Sequence, residues 1–353
     1  MIYFLTDGLF RVAGTERVIV QLFENLSQYF EIKIIAPGST IIGFNTTKEI
    51  KVKSLGVGDL PKNFISKVFH RILILLSLRN IVIKNSIIFS FAYDLNIINI
   101  VLTRLLGGHS IVCEHIEYSY HGFFRRLLRK YIYSCENITV VCLTEIDRAK
   151  YSKIGISAQV IPNFVKLKNH SYSPNKKIIL AVGRLTRQKN FAFLIDSFFI
   201  SRLYNRRWKM LIIGEGIEYA MLQNKINFYE LGGSIEICKF TKDIDSYYRQ
   251  ASIFCMTSLY EAFPMVLLEA MSYGVPVLCV DCPTGPSEII GSDDTSQLVA
   301  PGSPDLYADA LRNLCMDSPN LAQLSNKNNL RVMKFSVDRV VGYWLDLLNK
   351  TIK

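Results

Sequence analysis

The sequence predicts an α/β protein of two doubly wound domains, and three observations carry that expectation. Short apolar runs of strand length alternate with helical patterns along nearly the whole chain. The alternation pauses once, at Pro162-Asn163 and the polar stretch KLKNHSYSPNKK, and then resumes. In the second half, distinctive polar residues follow one strand after another, where open parallel sheets bind their ligands. The 353 residues leave room for two domains, and 50% of them are hydrophobic, enough for a core in each.

In the first half IYFLT, EIKIIA, SIIFSF, HSIVCEH and NITVVCL read as strands, and TERVIVQLFENLSQYF has helical spacing. In the second half KIILAVG, KMLIIG, SIEICKF, SIFCMTS and PVLCVD read as strands. The tail from Ser336 to near Asn349 spaces Val337, Val340, Val341, Trp344, Leu345 and Leu348 as one face of a helix, with Ser336 as its cap. The expected domains are residues 1–168 and 169–335, followed by a C-terminal helix over 336–353. No repeat or low-complexity tract is visible.

Charge and cysteine usage narrow the setting. The net charge is +11, and residues 1–165 hold 19 Lys and Arg against 12 Asp and Glu. No acid stands between Asp59 and Asp94, whereas Lys62, Lys67, Arg71, Arg79 and Lys84 do. A second basic cluster, HGFFRRLLRKYIY, sets Arg125, Arg126, Arg129 and Lys130 among aromatics and leucines. As a helix it suits an anionic membrane surface. No nucleic-acid recognition motif accompanies the charge. The eight cysteines lie mostly in apolar strands, as small hydrophobes do in a reducing compartment. Cys279-Val-Asp-Cys282 lacks the second pair that a zinc site needs. MIYFLTDG opens as a strand rather than a signal peptide, and charges break every apolar run before it can span a bilayer. The expected location is cytoplasmic, peripheral on the inner face of the membrane.

The segment LYEAFPMVLLEAMSYGVPV is the most informative. Pro264 fits the first position of a helix and Gly274 its stop, which leaves the amides of Met265 and Val266 free to receive an anion. Glu261 and Glu269 bracket that site, and carboxylates are strong acceptors for sugar hydroxyls. The plainer alternative is an amphipathic helix with two solvated acids. Arg184 and Lys189, in GRLTRQKN after a strand, add two cations that can neutralise a diphosphate. That neutralisation is the main catalytic task when a sugar–phosphate bond breaks. Arg and Lys are expected to act in place of a metal ion, with no other cofactor. Gly14, between the first strand and a helix, allows close approach of backbone to phosphate. His115 ends a strand and can either hold structure or serve a sugar hydroxyl.

Together these residues resemble the retaining glycosyltransferases of family 4, which have two Rossmann-like domains facing across a cleft in the GT-B architecture. The resemblance rests on the spacing from Glu261 to Glu269, the pair Arg184 and Lys189, the Gly14 loop, His115, the IPNFV linker and the terminal helix. It covers essentially the whole chain. It implies that residues 1–168 bind the acceptor, that residues 169–335 bind a nucleotide sugar, and that the last helix returns to the first domain. Glu269 would bind ribose hydroxyls and Glu261 those of the transferred sugar. Arg184, Lys189 and the amides of Phe263, Pro264-Met265 and Val266 would surround the diphosphate, and His115 would lie near sugar and acceptor. The DCPTGPSEII segment looks like that of bacterial enzymes extending lipid-linked O-antigen, capsule or glycoprotein glycans. The implied donor is a UDP-hexose or UDP-N-acetylhexosamine, and the implied acceptor is a polyprenyl-diphosphate glycan. Ala13 departs from the usual Gly-Gly pair of the first loop. An epimerase or phosphorylase on the same fold, and a non-enzymatic basic membrane-binding protein, are the alternatives.

Overall fold

Parallel strands need crossover helices, and both halves of the chain supply them in turn. In the computed structural model, which describes residues 1–9, 14–43, 46–58, 61, 63–118, 122–241, 243–292 and 294–352, the chain divides into two units. One is Met1–Asn163 with Val340–Lys353, the other Phe164–Arg339. The division falls before residue 168 because the linker already belongs to the second unit. There the Val165 amide donates to the Phe335 carbonyl at 2.9 Å, and Val165 bridges Ser336.

The first unit runs β1 (Ile2–Leu5), α1 (Gly14–Leu26), β2 (Ile32–Ala36), β3 (Val52–Ser54), α2 (Phe64–Ile81), β4 (Ser86–Ser90) and α3 (Tyr93–Leu106). It continues through β5 (Gly108–Glu114), α4 (Phe123–Tyr133), β6 (Ile138–Cys142), α5 (Glu145–Ser152) and β7 (Ala158–Val160). Its sheet has the order β3-β2-β1-β4-β5-β6-β7, with every neighbouring pair parallel. Strands β1 and β4 are buried along their whole length, as expected for a sheet covered on both faces.

The second unit runs β8 (Ile178–Val182), α6 (Phe191–Ser201), β9 (Lys209–Ile213), α7 (Tyr219–Phe228), β10 (Ile235–Cys238), α8 (Ile244–Gln250) and β11 (Ile253–Met256). It continues through α9 (Met265–Ser272), β12 (Val277–Val280), α10 (Pro286–Ile290), β13 (Leu298–Val299), α11 (Pro304–Met316) and α12 (Ser318–Val332). Its sheet order is β10-β9-β8-β11-β12-β13, also parallel throughout. In both units the strand order reverses beside the first strand, at β1/β4 and at β8/β11. That reversal opens a crevice at the carboxyl ends of those strands. The last helix, α13 (Val337–Ile352), counts with the first unit from Val340 onward, and Trp344 packs 5.6 Å from the Phe89 ring.

Candidate active site

The cluster with the most chemistry lies at the β8/β11 reversal of the second unit. Lys189 follows β8, Glu261 follows β11, and Lys189 Nζ donates to Glu261 Oε1 at 2.5 Å. Both side chains are largely shielded, 14% and 10% exposed. The Lys189 stem lies on Gly183, where a Cβ would stand only 3.1 Å from Lys189 Cε. Thr257 Oγ1 donates to the carbonyls of Lys189 and Asn190 at 3.1 and 3.2 Å, and Leu259 N donates to Gln188 O at 2.8 Å. The two strand-end loops are thereby stitched together by hydrogen bonds to their own backbone. Arg184 is exposed beside them.

Helix α9 starts one residue later than the sequence led us to expect. Pro264 is its N-cap, with ψ of 103°, because its carbonyl accepts from Leu267 N at 3.1 Å while its own backbone stays extended. Met265 and Val266 are therefore the first two helical residues, whose amides have no partner within the helix. The helix ends as its glycine implies. Gly274 takes φ of +70°, Val275 N donates to Ala270 O at 3.1 Å and Gly274 N to Met271 O at 2.9 Å, a Schellman motif.

The β12 loop locks this arrangement. Thr284, at φ of +61°, donates through its hydroxyl to the Glu261 carbonyl. Gly285 presses on the start of α9, since a Cβ there would lie 2.6 Å from Pro264 Cδ. Behind β9, a Cβ on Gly214 would lie 1.9 Å from the Gly183 carbonyl oxygen, and one on Gly216 would lie 2.2 Å from that of Leu185. Only glycine permits those approaches. Glu269, five residues into α9, accepts from Tyr248 Oη at 2.9 Å. Beside the cluster, burial and then the charge of Glu261 push the Cys282 thiol up to about 12.

In the first unit, His115 follows β5 and its ring lies 5.7 Å from that of Phe91. It lines a cavity of about 10 Å³ with Phe91, Cys113 and Trp344. Burial lowers its pKa to about 4, so the imidazole is neutral near pH 7. Gly14 is the first residue of α1 and exposed. Residues 10–13, with the Ala13 departure, lie outside the described residues.

One assignment needs correction. Arg125 and Lys130 on α4 are exposed and Arg126 is half-buried, but Arg129 is only 1% exposed and cannot meet a membrane. Its guanidinium is 3.4 Å from Glu114 Oε2 and sits over the rings of Tyr93, Tyr118 and Tyr151 at 5.5, 5.3 and 5.6 Å. Glu114 also accepts from Tyr133 Oη and from Asn96 Nδ2. A buried charge survives only when paired and hydrogen-bonded, and this network does both.

Sequence reasoning missed Tyr248, Thr257 and Thr284. Thr284 was visible only as part of a TG turn. Tyr248 and Thr257 carry no local signal, since their partners lie 21 and about 70 residues away.

The fold of two doubly wound parallel units, one gathering cation, carboxylates and a helix start at its point of reversal, is that of the GT-B glycosyltransferases. Residues 165–331 match the family described as glycosyl transferases group 1. It is 28% identical to the amylovoran biosynthesis glycosyltransferase AmsD of Erwinia amylovora, over 98% of each chain. To a Campylobacter jejuni α-1,4-N-acetyl-D-galactosaminyltransferase named for a diNAcBac-PP-undecaprenol acceptor it is 23% identical, over 95% of this chain and 94% of the relative. Among solved structures, the pneumococcal O-GlcNAc transferase GtfA in complex with UDP and GlcNAc superposes with a TM-score of 0.80 at 12% identity, covering 99% of both chains.

Proposed function

We propose that the protein is a retaining transferase that moves a hexose or N-acetylhexosamine from a UDP-sugar to a polyprenyl-diphosphate-linked glycan, without a metal ion. The observation that carries this is the Lys189–Glu261 pair standing before the amides of α9. Lys189, exposed Arg184 and the amides of Met265 and Val266 offer fixed positive groups to the donor diphosphate. That stabilises the leaving group as the anomeric bond breaks. Glu261, held by Lys189, faces sugar hydroxyls as an acceptor, and Glu269, oriented by Tyr248, receives the ribose hydroxyls. The departing phosphate oxygen then serves as the base for the acceptor hydroxyl. Attack then comes from the face the phosphate leaves, and configuration is kept. Neutral His115, in the first unit, can donate a hydrogen bond to an acceptor hydroxyl.

The lipid-linked acceptor rests on the names of the relatives and on the basic face of α4. Arg125, Arg126 and Lys130 there can pair with an acceptor pyrophosphate or an anionic membrane surface. Among the described residues no helix is long and apolar enough to cross a membrane.

The test is turnover of a panel of UDP- and GDP-sugars with a polyprenyl-diphosphate glycan acceptor, with product linkage read by NMR. An α-linked product formed in the presence of EDTA is expected. Sugar release without acceptor, a requirement for free phosphate, or a β-linked product would contradict the proposal.

A further inference from the structure

Helix α2 carries apolar side chains on the face turned away from its own core. Ile74 and Leu78 point inward and are 3% and 1% exposed, whereas Ile65 is 82%, Phe69 61% and Leu76 51% exposed. Ile65, Val68, Phe69, Ile72, Leu73 and Leu76 follow the i, i+3, i+4 rhythm of one helical stripe, and all six are exposed. A helix that is apolar on both faces needs a second apolar surface.

Charge identifies that surface. From residue 60 to residue 93 there is no acid, while Lys67, Arg79 and Lys84 lie on or just beyond α2. Asp94, the next acid, is already neutralised by Arg71 at 2.7 Å. The α4 helix is tied to the same turn of α3, where Tyr93 Oη donates to the Arg125 carbonyl at 3.0 Å and the Arg125 guanidinium sits 5.2 Å from the Tyr93 ring centroid. That neighbour adds exposed Lys130, Leu127, Leu128 and Tyr131. An apolar stripe set among cations and lacking acids is complementary to an anionic bilayer, with hydrocarbon under the stripe and headgroups at its margins. A second copy of the chain would bring the same cations against each other.

We propose that α2 is a bilayer-inserting helix that lies in the plane of an anionic membrane, with its Ile65–Leu76 stripe in the acyl boundary. This deepens the proposed function by naming the surface on which the enzyme works, and it rests on that reading for the lipid-linked acceptor.

The experiment uses the full chain and vesicles of phosphatidylcholine with and without phosphatidylglycerol. Flotation measures binding, and turnover is followed with a short-chain soluble acceptor analogue. The Ile72→Asn/Leu76→Asn variant changes only exposed side chains, so the fold and soluble-acceptor turnover are expected to persist. Its affinity for phosphatidylglycerol vesicles is expected to fall at least about tenfold. In a Phe69→Trp variant, brominated lipids are expected to quench the new indole. Equal vesicle binding by the double variant and the parent, or an indole that brominated lipids leave unquenched, would overturn the proposal. A dimer in the parent that dissociates in the double variant, with vesicle binding unchanged, would assign the stripe to self-association and also overturn it. Failure of transfer with vesicle binding intact would instead refute the proposed function and leave the membrane helix standing.

Discussion

Lys189 and Glu261 stand 72 residues apart in the chain, and their side chains meet at 2.5 Å beside the start of α9. The pair exists because β8 and β11 are neighbours in a sheet whose order reverses between them. It fixes a cation and a carboxylate in one place in the second unit. Preorganisation of this kind is what transition-state stabilisation requires.

Lys189→Ala is expected to lower kcat/KM by roughly 10²–10³ while circular dichroism stays that of the parent. Glu269→Ala is expected to lose most activity as well, chiefly through donor affinity. Tyr248→Phe, which removes only the hydroxyl that orients Glu269, is expected to show a milder loss of the same kind. Steady-state kinetics with the donor varied separates these outcomes. Near-parental turnover in both the Lys189 and Glu269 variants would count strongly against the assignment.

Replacing Arg125 and Arg126 by alanine is expected to raise KM for the lipid-linked acceptor and leave UDP affinity unchanged. Arg129 behaves differently because it is buried. Arg129→Met strands the Glu114 carboxylate among Tyr133, Asn96 and three tyrosine rings. The expected cost is about 3–5 kcal/mol in urea unfolding. Adding Glu114→Gln is expected to recover part of it, since the orphaned charge is then gone. Equal loss of donor affinity in the Arg125/Arg126 variant would mean that α4 serves the donor instead.

His115 links stability to pH. Its folded-state pKa of about 4 lies below the ordinary histidine value of 6.5. The unfolded chain thus takes up a proton that the folded chain refuses as pH falls between those two values. The contribution is complete above pH 6.5 and is lost progressively from there down to about 4. Thermal melts across that window are expected to show a steeper acid fall in Tm for the parent than for His115→Gln. Identical profiles would refute the link.

Gly285→Ala puts a methyl group within 2.6 Å of Pro264 Cδ at a residue with φ of +80°. Backbone must shift at the first turn of α9. The expected result is a raised donor KM, with a loss of stability of about 1 kcal/mol or more. Gly302→Ala has open space around the new methyl and serves as the control for a positive φ without a clash. Similar donor kinetics in both variants would separate Gly285 from the donor site.

The strands that carry the site were legible because each is a short apolar run buried on both faces, as VLCV in β12 shows. Strands β3, β7 and β13 were not. They are only three, three and two residues long and half-buried, too short to show a period. In the candidate site, Lys189 and Glu261 were singled out by their positions at strand ends, but their ion pair was not legible, because it depends on β8 and β11 lying side by side. Arg129 was misread because helical spacing around a basic cluster does not say which cation turns inward. Only the acid on β5 and the tyrosines from α3 and α5 decide it. The exposed stripe of α2 was equally hidden. An apolar helix on a sheet looks buried until the accessible face is seen.

Fixed positive groups of the second unit are proposed to hold the donor diphosphate in place of a metal ion. Calorimetric titration of UDP in the presence of EDTA puts that to the proof. The parent is expected to bind, and Arg184→Ala and Lys189→Ala each to bind at least about tenfold more weakly. Binding that vanishes in EDTA and returns with magnesium, or that is unchanged in both variants, would contradict it.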